Sequence, residues 1–371
     1  MSALARGLDL NGVDGIGTVT RNMISGLQKH PRLDVLPVSF GYSGYQKIDR
    51  NAPGITCGRY SIAAGLGAYG NISFRESAAL SKRIDLFHAP DHYIPKLKNI
   101  PVIATIHDAI PFSHPEWTTP KFRYLYGPTF KRCARWATKI ITVSNFSKLS
   151  ISEHFGIQKD RIHVIPNSID PEWIDTVDPA NLIEIKKKYR LYRPYIVSVG
   201  TLQPRKNIER VIAAFSLLPK ILQQNYDLVI VGREGWRCEP IIKRLRAGAP
   251  HGEVRWLKYI PRDELLTLVK AAKCLVFPSL AEGFGLPVVE AFAARLPVLT
   301  SSYGSALPEV AGDAAVLVDP YDVSAISDGL RQILENTALC DVLISRGLRK
   351  LKDFNFKSVI SDTVRLYESV I

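Results

Sequence analysis

FPSLAEGFGLPVVEAFAAR, residues 277–295, is the stretch from which the fold can be read. It ends an apolar strand, CLVF (274–277), and runs into a loop holding Glu282, Gly283, Phe284 and Gly285. Pro287 marks the start of a helix, where its missing N–H costs nothing. Glycines just before it let backbone N–H groups close on a ligand at the positive end of that helix. Glu290 is expected in the helix's first turn. The stretch thus offers N–H donors to an anion, flanked by two carboxylates suited to hydroxyls. A sugar nucleotide, a diphosphate between two polyols, matches that combination.

The same strand–loop–helix unit repeats on both sides. YIVSV (195–199), DLVIV (227–231) and EVRWL (253–257) precede it, and PVLT (297–300) and AAVLV (314–318) follow, separated by helical patterns such as ELLTLVKAA and AISDGLRQIL. An earlier series comprises DVLPVSF (34–40), RIDLFHA (83–89), PVIATI (101–106), KIITV (139–143) and RIHVI (161–165). Short apolar runs alternating with helices indicate parallel strands buried on both faces. Between the series, 171–194 is polar, proline-punctuated and carries KKKYR, as a linker with an entry helix would. The expectation is an α/β protein of two doubly wound Rossmann-like domains, 1–175 and 176–354, facing each other across a cleft. The helical tail, 355–371, can pack on either, including back on the first. The start is unusual: only MSALA precedes GLDLNGVDGIG, where such a sheet opens with a strand of about five or six residues. Either that strand is very short or the true start lies upstream, and a missing central strand would leave sheet edges unpaired.

A length of 371 residues suits two domains, and 46% hydrophobic content suits soluble cores. No apolar run approaches the roughly 20 residues that span a bilayer, and no secretory signal opens the chain. Cys57, Cys133, Cys238, Cys274 and Cys340 are scattered and lack metal-ligand spacing, as reduced structural thiols of a cytoplasmic protein would be. The net charge of +13 admits nucleic acid, an anionic membrane, a phosphorylated substrate or merely a solvated surface. Nucleic acid ranks last, because there is no Lys/Arg block and no RNA-binding signature.

Ligands on parallel sheets bind beyond the strand carboxyl ends. There, Gly200 to Asn207 (GTLQPRKN) places Arg205 and Lys206, a planar fork and a point charge, where together they can hold a diphosphate without a metal. The bland alternative is a solvated loop with Asn207 capping the next helix. Gly15 and Gly17 lie in a glycine turn before the helix VTRNMISGLQ, equally readable as a phosphate approach or a tight turn. His107-Asp108 follows PVIATI; the imidazole can bond a sugar hydroxyl or handle a proton, while Asp108 can serve as a local turn former. Helix-dipole stabilisation alone could explain Glu290, but not Glu282 before a Gly-Phe-Gly loop. In KFRYLYGPTFKRCARWATK (121–139), Phe122, Tyr126 and Phe130 recur every four residues, as do Lys131, Arg135 and Lys139. Either this is a basic amphipathic helix for anionic lipid or an aromatic core face with solvated charges.

Taken together, Glu282-x7-Glu290, GTLQPRKN, TVSNFSK, VIPNSID and the GIG turn resemble family-4 retaining glycosyltransferases of the GT-B fold, over nearly the whole chain. HDAIPFSHPEW is similar to bacterial mannosyltransferases of surface-polysaccharide assembly. The resemblance implies a nucleotide-sugar donor on the C-terminal domain and a saccharide or polyprenyl-diphosphate-linked acceptor on the N-terminal one. It implies Glu290 on the ribose, Glu282 on the transferred sugar, Arg205 and Lys206 on the diphosphate, and backbone around Gly283, Phe284, Gly285 and Leu286 as the phosphate and sugar cradle. It further implies His107 near the anomeric centre, Gly15 and Gly17 at the N-terminal glycine turn, and Tyr259 and Ile260 holding the base through main chain. GDP-mannose is the donor first implied, a UDP-sugar the second. No metal or other cofactor is expected, since no Asp-x-Asp motif is visible near a strand end. A cytoplasmic enzyme, peripheral on the inner membrane face, follows from a lipid-linked acceptor. A nucleotide-sugar epimerase, which needs no acceptor, and a non-catalytic nucleotide-sugar-binding protein are the rivals on the same scaffold.

Overall fold

The structure, a computed structural model, describes residues 15–40, 55–57, 60–75, 77–91, 94–175 and 178–371. They form two compact units: one contains the described residues up to Ser168 together with Phe356–Ile371, the other Ile169–Asn355. The division falls at Ser168/Ile169, ahead of the expected 175/176. The 171–194 stretch belongs wholly to the second unit, contributing a 3-10 turn, Pro171–Trp173, and a helix, Pro179–Lys188.

In the first unit, β1 (Val38–Phe40) pairs in parallel with β2 (Ile55–Cys57). A separate four-stranded parallel sheet runs in the order β3 (Phe87–Ala89), β4 (Val102–Thr105), β5 (Lys139–Thr142) and β6 (Ile162–Val164). These are the strands read from sequence, except β2, which is too short and too flanked by small residues to show a pattern. Helix α1 (Gly15–Gln28) and the C-terminal helix (Phe356–Glu368) share a core with Ile103, Ile141 and Ile165. The expected first strand lies outside the described residues.

The aromatic stripe of 121–139 divides. Phe122 and Phe130 close around Phe112 and Phe155, with ring centroids 4.7–6.1 Å apart, whereas Tyr126 is exposed. The cause is a π turn, Phe122–Tyr126, whose end is marked by Gly127 N–H donating to Phe122 O. Pro128 has no N–H and would clash with a carbonyl one turn back, and a widened turn accommodates it while advancing the helix by one residue.

The second unit holds a six-stranded parallel sheet, β7 (Tyr195–Val199), β8 (Asp227–Val231), β9 (Val254–Leu257), β10 (Cys274–Phe277), β11 (Val298–Ser301) and β12 (Val316–Val318), in the spatial order 12-11-10-7-8-9. All six were legible as apolar runs. Helices α2 (Ile208–Leu217) and α3 (Leu286–Ala293) follow β7 and β10. Cys133, Cys238, Cys274 and Cys340 are buried and unbridged; burial pushes the Cys274 thiol up to about 12.

Candidate functional site

Strand order fixes where a ligand can sit on the second unit. From β7 the chain runs outward through β8 and β9, then crosses to β10, β11 and β12 on the other side, so the order reverses between β7 and β10. Such a switch point opens a crevice at the strand carboxyl ends. The loops leaving these two strands carry Arg205-Lys206 and Glu282, and the structure joins all three. Leu280 N donates to Arg205 O at 2.7 Å, tying loop to loop. Arg205 Nη1 donates to Ala281 O at 3.0 Å and pairs with Glu282 Oε2 at 2.8 Å. Lys206 Nζ meets Glu282 Oε1 at 2.6 Å and sits 4.6 Å from the Phe277 ring centroid. Burial would raise the Glu282 carboxyl, but the Arg205 and Lys206 charges outweigh it and hold it at about 2. One carboxylate is thus shared by two cations, with a positive charge to spare. The sequence offered these three side chains as ligand-binding candidates; it did not show that they pair with one another.

The backbone around this triad is fixed by close approach. A Cβ on Gly232 would fall 1.9 Å from Gly200 O, so the loops after β7 and β8 meet main chain to main chain. Asn207 does not make the cap bond of the bland alternative; its amide donates to Pro278 O at 2.9 Å and Pro320 O at 2.6 Å, clamping the loops after β10 and β12. Gly285, at φ 106°, takes the position before α3, where a side chain would meet Leu307 at 2.5 Å. Phe284 is buried against Phe354, 5.5 Å between centroids, which leaves its ring turned away from the helix start.

Glu290 is not in the first turn of α3. The helix begins at Leu286 because Gly285 sets its cap, which puts Glu290 one turn further in, beyond the N–H groups that a first-turn acid would face. Burial pushes its carboxyl up to about 7; Arg262 opposes the rise, Asp170 adds to it, and the indole of Trp173 opposes it. Arg262 itself pairs with Asp170 at 2.6 Å and Glu172 at 3.1 Å. Arg262, Asp170 and Trp173 are the neighbours that sequence reasoning missed. The one available signal was Asp170, which ends the VIPNSID segment, with Pro171-Glu172-Trp173 directly after it.

Tyr259 and Ile260 follow β9. Ile260 is buried, whereas Tyr259 is half-exposed with the Arg233 guanidinium 4.4 Å from its ring centroid. The remaining candidates belong to the first unit. Gly15 and Gly17 lie within the first turn of α1 rather than in a loop before it, and residues 12–14 lie outside the described residues. His107 follows β4; its Nε2 is shielded from solvent and has no hydrogen-bond partner among the described residues. Asp108 Oδ1 accepts from Ile110 N at 3.0 Å, the local turn former that the sequence allowed. His88, beneath, bonds Thr105 at 2.8 Å and Tyr367 of the C-terminal helix; burial and the neighbouring His107 push it down to about 4. Among the described residues, no group of three or more His, Cys, Asp or Glu is placed to hold a metal ion.

Two family models match the chain: Glycosyltransferase Family 4 over residues 13–173 and Glycosyl transferases group 1 over 183–350. O-antigen chain mannosyltransferase B of Escherichia coli is 34% identical over 286 residues, 76% of this chain and 74% of that protein. The serotype-specific mannosyltransferase WbdA of Escherichia coli is 31% identical over 265 residues; this covers 70% of the present chain but only 32% of that protein. Among solved structures, Anabaena Alr3699/HepE in complex with UDP-glucose superposes with a TM-score of 0.67 at 17% identity, covering 85% of this chain and 86% of that one.

Proposed function

The chain belongs to the family-4 glycosyltransferases of the GT-B fold, and from that premise we propose that it is a retaining mannosyltransferase using GDP-mannose. The acceptor in this reading is a saccharide, free or carried on a polyprenyl diphosphate, in O-antigen or similar polysaccharide assembly. The similarity to O-antigen mannosyltransferases supports the sugar and the pathway class.

The observation that carries the reading is the Arg205–Lys206–Glu282 triad at the strand-order switch point. Transfer breaks the bond between the anomeric carbon and the β-phosphate oxygen and forms one to the acceptor oxygen, whose proton leaves with the phosphate. Negative charge grows on the diphosphate, where two cations and the N–H groups opening α3 can stabilise it without a metal ion. Glu282, released from one cation as the diphosphate arrives, is then able to accept from the sugar's hydroxyls. Glu290 takes the ribose, and His107, with an unsatisfied ring nitrogen, is assigned to a sugar hydroxyl. Work on a lipid-linked acceptor places the enzyme at the inner face of the cytoplasmic membrane.

A UDP-sugar donor is the second reading, supported by the fold shared with a protein bound to UDP-glucose. Thermal shift with GDP, UDP and ADP separates the two. GDP should raise the melting temperature most; a larger response to UDP would replace GDP-mannose with a UDP-sugar. An epimerase would form product from donor alone, and a pure binder would form none.

A further inference from the structure

Beyond the carboxyl ends of β11 and β12, the second unit turns two tyrosines to solvent. Tyr303 and Tyr321 are 47% and 52% exposed, and their rings lie nearly parallel, 22° between planes and 6.4 Å between centroids. Asp319 joins them: its Oδ1 accepts from the Tyr303 hydroxyl at 2.6 Å and from Tyr321 N at 2.8 Å. Those two donors hold its carboxyl below the usual carboxylate range. Among the described residues no hydrogen bond falls on its Oδ2. Arg210, in the first turn of α2, sets its guanidinium 5.3 Å from the Tyr321 ring centroid and donates to Asn207 Oδ1 at 3.0 Å. Both tyrosine loops are braced against those of the triad. Gly304, at φ 77°, brings the main chain so close to Leu280 O that a Cβ would lie 3.2 Å from it. Ala306 N donates to Glu282 O at 2.9 Å, and the Asn207 amide fixes Pro320, the residue before Tyr321. A loop brace needs the Tyr303 hydroxyl; it does not account for two ring systems left half in water.

We propose that Tyr303, Tyr321, Asp319 and Arg210 form a platform for a neutral oligosaccharide, the non-reacting part of the chain that the enzyme extends. The identity of that chain rests on the polysaccharide reading above; the platform rests on its own geometry. A sugar ring is two-natured, with a face of C–H groups and an edge of hydroxyls. The electron-rich faces of the tyrosines suit the first. The free carboxylate oxygen accepts from hydroxyls and the guanidinium donates to them, which suits the second. A lipid surface fits poorly, because only two rings are offered and a carboxylate lies between them. A site of this kind contributes binding energy from sugars remote from the reacting bond. Rigid seating on the donor loops keeps the platform in fixed register with the triad.

Calorimetry and saturation-transfer NMR on the full-length protein, without donor, test this independently of catalysis, with mannan- and glucan-derived hexasaccharides as probes. Wild-type protein should bind at least one of them. Tyr321→Ala should weaken that binding by about three- to tenfold, whereas Tyr321→Phe, which keeps the ring, should retain it. Tyr303→Phe, which keeps the ring but loses the brace to Asp319, should bind better than Tyr303→Ala. An unchanged melting temperature and GDP response in Tyr321→Ala show that the fold and the donor site persist. Preference for the glucan probe would support the platform while removing the mannosyl reading, so the two can fail separately. No binding of either probe by the wild type, or equal binding by wild type and Tyr321→Ala, overturns the proposal. So does a folded Tyr321→Ala that loses its GDP response, which would assign the rings to a nucleobase.

Discussion

Glu282 and Glu290 sit in the same loop–helix unit and are driven in opposite directions, one held at about 2 by two cations, the other raised to about 7 chiefly by burial. The consequences for stability have opposite signs. Glu282 contributes stability that is present above its unfolded value of 4.5 and is lost as pH falls toward 2. Glu290 favours the folded state when protonated, and that advantage is lost as pH rises from 4.5 through 7. Chemical denaturation of Glu290→Gln between pH 5 and 7 should therefore lose the downward slope that the wild type shows; an identical slope would mean that Glu290 is not the group responsible. If the ribose is held by the ionised carboxylate, GDP affinity should climb with pH and level off above about 7. The same variant should abolish the climb. At the cations, Arg205→Ala or Lys206→Ala should lower turnover by roughly tens- to nearly a thousandfold without unfolding the protein. Glu282→Gln removes the negative charge that both cations share: pyrophosphate should bind more tightly while transfer falls, a split that calorimetry and a turnover assay can separate. The identities of these residues were readable from the chain. Their mutual pairing was not, because Arg205 and Glu282 are joined only when β7 and β10 become neighbours, and Arg262 likewise meets Asp170 from a distant part of the chain.

At the scale of elements, what an apolar run dictates was legible and what a single contact dictates was not. Strands β3 to β12 all lie within the short, largely apolar runs read from the sequence. The π turn at Phe122–Tyr126 depends on Pro128 and on the packing of Phe122, and periodicity alone reads it as a regular helix. Likewise the cap at Gly285, not the position of Pro287, sets the register that places Glu290 in the second turn. The loops after β7 and β8 touch at Gly232, which leaves no room for a methyl group. Gly232→Ala should push the 200–206 loop off its seat, costing a few kcal/mol of stability and most of the nucleotide response. A folded variant with wild-type nucleotide affinity would show that the loop does not depend on that contact.

At the scale of the molecule, the C-terminal helix is part of the first unit, where Val359, Ile360, Val364 and Tyr367 join a core with Ile103 and Ile141. The sequence left that helix free to join either unit, since its apolar spacing names no partner. Ile360→Ala should destabilise the first unit by about 2–4 kcal/mol, while GDP binding, which the proposed function assigns to the second unit, should persist in the folded protein. No helix among the described residues is long and apolar enough to cross a membrane. The central claim is that the triad at the switch point holds the diphosphate of a mannosyl donor during transfer. It is tested most directly by following GDP-mannose with a synthetic mannosylated polyprenyl-diphosphate acceptor, using mass spectrometry for the product and NMR for its anomeric configuration. Wild-type protein should release GDP and form an α-linked product, and folded Lys206→Ala should form almost none. Full turnover by Lys206→Ala, or an inverted product from the wild type, would contradict the account.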